Sequence, residues 1–173
     1  MASALFTARI QNHTDAVEVS SAGLRAAEGS VPEEVVEVIG EYGIDLGGHE
    51  SRVLTPSILQ GADLVIGMSR RHMQEAVLLD PPSRPHAFMF KELVRRGSLI
   101  GPRRPDQGFR SWIEAAHGDR TRESLLDRSG TDEVADPYGG SLADYRATAV
   151  ELSGLTDQLI RLLWPEEPDG SPV

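Results

Sequence analysis

The sequence predicts an α/β domain with a parallel sheet, and three observations carry that expectation. Apolar stretches of strand length alternate with segments of helical periodicity, joined by short links. The run Ala62-Asp63-Leu64-Val65-Ile66-Gly67-Met68 is nearly continuous in apolar residues and bounded by polar ones, as suits a strand covered on both faces. Near the other end, Leu142, Tyr145, Ala149, Leu152, Leu155, Leu159 and Leu162 recur at three- and four-residue steps, one core-facing stripe of a helix over 142–163.

The elements follow in order. Residues 2–10 are good helix formers without a breaker, and Asn12-His13-Thr14-Asp15 ends them. Val17-Glu18-Val19-Ser20 alternates like a short strand, closed by Ser21-Ala22-Gly23. Ser30-Val31-Pro32-Glu33 reads as a helix start, with serine as cap and glutamate three positions on; Val35, Val38, Ile39 and Tyr42 give the buried stripe and Gly43 the stop. After the apolar run comes a helix from Ser69 to about Leu79, ended by Pro81-Pro82. His86-Ala87-Phe88-Met89-Phe90 is a third strand leading into a short helix over Lys91–Arg95. Residues 97–130, rich in Gly, Pro and Arg, read as an irregular surface insertion with one helix near Phe109–Ala116.

Composition narrows the function. A length of 173 residues suits one domain with one core. A net charge of −10 argues against a sequence-independent nucleic-acid binder, and the pairs Arg70-Arg71, Arg95-Arg96 and Arg103-Arg104 read as solvated faces. No apolar run reaches membrane-spanning length and the first residues lack a signal-peptide pattern, so the expectation is a cytoplasmic protein with no membrane partner. Lys91 is the single lysine among 17 basic residues, a bias that fits a GC-rich gene. The histidines His13, His49, His72, His86 and His117 are scattered, so neither a metal nor any other cofactor is expected. There is no Gly-x-Ser-x-Gly elbow and no Walker-type loop.

Two segments carry chemistry. In Asp136-Pro137-Tyr138-Gly139-Gly140, a proline directly after an aspartate restricts the loop and holds the carboxylic acid in place. Aryl phosphate hydrolysis needs such an acid, because phenolate leaves poorly until protonated. Tyr138 offers a wall that stacks on a substrate ring. The second segment, Gly43 to Arg52, reads from its residues as a helix C-cap and a polar turn in which His49 is locally hydrogen-bonded.

Ser20-Ser21-Ala22-Gly23, Gly43-Ile44-Asp45-Leu46, His49-Glu50-Ser51-Arg52, the Ala62–Met68 run and Asp136-Pro137-Tyr138-Gly139-Gly140 stand in this order along the chain. The ordered set resembles the low-molecular-weight protein tyrosine phosphatases, bacterial members in particular, over nearly all of residues 1–164 outside 97–130. The resemblance implies a doubly wound parallel sheet of four strands. The first lies inside the sheet and ends in a C-x5-R-S loop whose backbone N–H groups and arginine bind the phosphoryl oxygens. Met1-Ala2-Ser3-Ala4 matches the helix that leaves this loop. The expectation is therefore a fold lacking that first strand, with three strands flanked by helices: a single domain over 1–164 and a disordered tail at 165–173.

The same resemblance implies hydrolysis of phosphotyrosine in a protein partner through a cysteinyl-phosphate intermediate. It makes Asp136 the general acid/base, Tyr138 a substrate-stacking residue and His49 a supporting residue. With no cysteine among its 173 residues, the chain as written supplies neither nucleophile nor phosphate loop and is expected to be inactive. A longer natural product, with Met1 an internal methionine, accounts for this. The alternatives are a non-catalytic remnant that binds a protein partner or phosphorylated tail, and an arsenate reductase, which requires further redox cysteines. Loss of an inner strand also predicts poor stability, since each buried unpaired backbone group costs about 1–3 kcal/mol against totals of roughly 5–15 kcal/mol.

Overall fold

The computed structural model of the chain describes residues 1–11, 17–25, 31–118, 120–121 and 131–165. Helices α1 (Ala2–Ile10), α2 (Glu33–Gly40) and α3 (Pro56–Gln60) precede strand β1 (Val65–Gly67) and helix α4 (Arg70–Leu79). A 3₁₀ turn over Pro81–His86 leads to strand β2 (Ala87–Met89), followed by α5 (Phe90–Ile100), α6 (Phe109–His117) and α7 (Leu142–Leu163).

The two strands pair in parallel, with Val65 opposite Ala87, Ile66 opposite Phe88 and Gly67 opposite Met89. Successive side chains of a strand point to opposite faces, and β2 shows both faces covered. Phe88 enters a core with Leu5, Ile39, Leu93, Trp112 and Leu159. Ala87 and Met89 pack on the other side with Met73 of α4. Helices on both faces of a parallel sheet make this an α/β, doubly wound architecture. Helix α7 spans the first face, docked on α1, α2 and α5. Its N-terminus is fixed by a capping box: Ser141 Oγ accepts from Asp144 N at 3.3 Å, and Ser141 N donates to Asp144 Oδ2 at 2.7 Å. Arg9 ties α1 to α7 through Asp157 at 2.6 Å.

The strand expected at Val17–Ser20 is not formed; the described residues hold two strands. Its side-chain alternation is present, with Val17 and Val19 half-buried and Glu18 and Ser20 exposed. A strand also needs a neighbour for its N–H and C=O groups, and the segment reaches one only further on. There, Gly23 N donates to Arg52 O at 2.9 Å and Leu54 N donates to Gly23 O at 2.8 Å, a single bridge between Gly23 and Val53.

Regular structure also extends beyond Gly97. That glycine lies inside α5, where a Cβ would stand 2.8–2.9 Å from Trp112 and Leu162. Its bare backbone lets α6 and α7 close on the helix. Trp112 is buried and donates Nε1–H to Gly101 O at 3.0 Å. Arg103 donates to Leu163 O at 2.7 Å, covering a carbonyl at the end of α7. Gly97, Trp112, Ile113 and Ala116 are buried, so α5 and α6 carry regular, core-packed structure into the stretch expected to be irregular. Residues 119 and 122–130, the 166–173 part of the expected tail, and the expected cap Ser30 lie outside the described residues; α2 starts after Pro32.

Candidate active site

In open parallel sheets, ligands bind beyond the carboxyl ends of the strands. The loop carrying Asp136 is fastened there. Val134, buried in the core, donates its N–H to Met68 O just past β1 at 2.8 Å. Glu133 Oε1 accepts from Arg70 N, at the start of α4, at 3.1 Å. Ala135 O accepts from Thr148 Oγ1 of α7 at 3.4 Å. Two residues beyond this anchor, Asp136 Oδ1 accepts from Tyr138 N at 3.1 Å, the local turn that aspartate favours. Gly140 N donates to Pro137 O at 2.8 Å. Gly139 takes φ +76°, a conformation that favours glycine. The loop then enters the Ser141 cap of α7, where Ser141 hydrogen bonds hold the Asp144 carboxyl below its usual range.

The result is an acid on a short, doubly anchored loop. Asp136 is exposed, with its backbone restrained by Pro137 and one carboxylate oxygen engaged. Tyr138 stands beside it, 81% exposed, a ring available for stacking. His72 of α4 faces the same region: burial lowers its pKa, and the nearby Asp136 charge opposes that shift. The scattered histidines gave no reason to single out His72. The available signal was Ser69, whose side chain accepts from His72 N at 3.4 Å and so puts His72 in the first turn after β1.

His49 belongs to a second group. Its N–H donates to Leu46 O at 2.9 Å in the turn after α2. Its side chain lines a cleft of about 220 Å³ with Ser21, Gly23, Arg25, Ser51 and Arg52. Arg52 Nε donates to Ser21 O at 2.8 Å across the two loops. Two of the ordered sequence motifs, Ser20–Gly23 and His49–Arg52, therefore meet in space, while Asp136 and Tyr138 sit on the loop at β1. Arg25 carried no sequence signal. Among the described residues, no group of three His, Cys, Asp or Glu side chains is arranged to hold a metal ion. No helix among them is long and apolar enough to cross a membrane.

Comparison with known proteins gives a consistent result. The family model described as low molecular weight phosphotyrosine protein phosphatase matches residues 1–100. A protein-arginine-phosphatase of Bacillus subtilis is 30% identical over 164 residues, covering 94% of this chain and 87% of that protein. A probable low molecular weight protein-tyrosine-phosphatase of Erwinia amylovora, AmsI, is 24% identical over 102 residues, 58% of this chain and 69% of the relative. Among solved structures, the low molecular weight protein tyrosine phosphatase of T. tengcongensis superposes with a TM-score of 0.67 at 33% identity, covering 94% of this chain and 88% of that one. A YwlE mutant from Bacillus subtilis gives 0.66 at 28% identity, covering 92% and 86%.

Proposed function

We propose, from a chain that belongs to the low molecular weight phosphotyrosine protein phosphatase family, a cytoplasmic enzyme that hydrolyses phosphotyrosine in proteins through a cysteinyl-phosphate intermediate. The observation that carries this reading is the match along 94% of the chain to a tyrosine phosphatase of the same fold, with Asp136 on a loop anchored at the carboxyl end of β1. In this scheme a thiolate attacks phosphorus while Asp136 protonates the departing phenol oxygen. The same carboxylate then takes a proton from the water that releases phosphate. Tyr138 stacks on the substrate ring, and His49 supports the phosphate-binding region from the neighbouring cleft.

The sequence holds no cysteine, so in this scheme the 173 residues contribute the acid, the stacking ring and the neighbouring cleft, and not the thiolate. Strand β1 is half-buried at Val65 and Ile66, whereas β2 is buried throughout.

A second reading concerns the substrate, and the arginine-phosphatase relatives at 30% identity favour it. Phosphoarginine places the same demand on Asp136, since the guanidine nitrogen also leaves only once protonated. Tyr138 would stack on a guanidinium plane as readily as on a phenyl ring.

The test is Asp136→Asn in the native gene product. Hydrolysis of phenyl phosphate should fall about 10²–10⁴-fold, the usual contribution of a general acid. Esters with very acidic leaving groups should be much less affected. Equal losses for both ester types remove Asp136 from the role.

A further inference from the structure

The cleft between Ser21–Arg25 and His49–Arg52 has a charge opposite to that of the chain. Acidic residues outnumber basic ones 27 to 17, yet among the described residues the cleft is lined by Arg25, Arg52 and His49 and by no carboxylate. Composition alone predicts the reverse. The hydroxyls of Ser21 and Ser51 add further donors beside two guanidiniums, groups that donate and never accept.

These two arginines also differ from others on the surface. Arg9, Arg95, Arg110 and Arg146 each hold a carboxylate. Arg25 has no hydrogen bond or ion pair among the described residues. Arg52 uses only Nε, donated to Ser21 O at 2.8 Å. The backbone bonds joining Gly23 to Arg52 and Leu54 fix the loop that presents it. One guanidinium is thus held in place with its terminal nitrogens uncommitted, and Arg25 lines the same cleft of about 220 Å³.

We propose that this cleft is an anion subsite that takes an acidic side chain of the phosphoprotein substrate, either a carboxylate or a second phosphate. The assignment rests on the phosphatase reading above and adds a substrate preference to it. Exposed guanidinium–anion pairs are each worth only a few-fold in affinity and are screened by salt, so the subsite sets selectivity rather than overall affinity.

The first arm of the test needs no catalysis. The 173-residue chain is titrated by NMR with inorganic phosphate, with a short glutamate-rich peptide and with an uncharged peptide of equal length. Both anionic probes, or one of them, should shift the amides of Ser21, Arg25 and Arg52, and the uncharged peptide should not. Phosphate alone assigns the subsite to a second phosphate, and the peptide alone to a carboxylate. Arg25→Gln and Arg52→Gln should each weaken binding about three- to fivefold, and Arg25→Lys should retain most of it. Unshifted cleft amides, or wild-type binding by a folded Arg25→Gln protein, would overturn the proposal.

The second arm uses the native gene product. The ratio of kcat/KM for phosphopeptides with acidic flanks to those with uncharged flanks should exceed one, and should fall about three- to fivefold in Arg25→Gln or in high salt. A ratio of one in the wild type contradicts the subsite. Failure to hydrolyse phenyl phosphate at all defeats the phosphatase reading, and the binding arm still decides the subsite.

Discussion

Replacing Arg120 by Met tests how the sheet's edge is held. Arg120 Nε lies 2.9 Å from Glu92 Oε1, with the two side chains only 3% and 9% exposed. Its Nη2 donates to Ala87 O at 2.8 Å, and its guanidinium lies 4.1 Å from the centre of the Phe88 ring. Burial lowers the pKa of this guanidinium, and the Glu92 carboxylate offsets part of that cost. Without Arg120, Glu92 keeps one long bond from Met89 N at 3.4 Å, and the Ala87 carbonyl on β2 loses a donor. Breaking one side of a buried pair costs about 3–5 kcal/mol, whereas replacing both partners by apolar groups is often close to neutral. Urea unfolding followed by far-UV circular dichroism should therefore show Arg120→Met losing about 3–5 kcal/mol with an unchanged m-value. The double variant with Glu92→Leu should be more stable than either single one. A single-variant loss below about 1 kcal/mol, the scale of an exposed pair, or losses that simply add, would refute the argument.

Two further outcomes follow from the structure. Ser141→Ala removes the hydroxyl that accepts from Asp144 N and donates to Asp144 Oδ2 at the junction of the Asp136 loop and α7, and leaves the bond from the residue 141 backbone N–H in place. It should lower stability by about 1 kcal/mol in thermal or urea unfolding, and an unchanged midpoint contradicts the cap. His86 and His117 each bury an Nε2 that has no partner among the described residues, and burial lowers both pKa values from 6.5. Below 6.5 the unfolded chain then binds more protons than the folded one, so this contribution is complete above 6.5 and is lost as pH falls through the folded values. The urea midpoint should drop between pH 7.5 and pH 5, and the drop should shrink in the His86→Gln, His117→Gln protein; an identical drop in that protein contradicts the assignment.

Local signals carried much of the fold. Helices over 2–10 and 142–163 are formed with the expected boundaries, because helix formers without a breaker and an apolar repeat act within a few residues. β2 is legible for the same reason. What required tertiary knowledge was not. The alternation at Val17–Ser20 describes side-chain burial correctly but cannot supply a pairing partner. Gly97 resembles a helix stop, yet it is a contact point for Trp112 and Leu162. Helix α3, started by Thr55 with Pro56 in its first turn, went unread although its cap signal was present. At the site, the Asp-Pro-Tyr-Gly-Gly loop stood out because its restraint is local. The approach of His72 to Asp136, and the meeting of Arg25 with Arg52, join residues far apart in sequence.

The reading of Asp136 as the acid and base of a phosphatase of this family is tested by rapid-quench mass spectrometry of the native gene product during turnover of an aryl phosphate. One transient phosphoryl group on a cysteine, a residue that these 173 residues lack, is expected, and it should persist longer in the Asp136→Asn protein because the same carboxylate activates the water that releases phosphate. Turnover without a phosphocysteine, or a phosphoenzyme lifetime unchanged by Asp136→Asn, contradicts it.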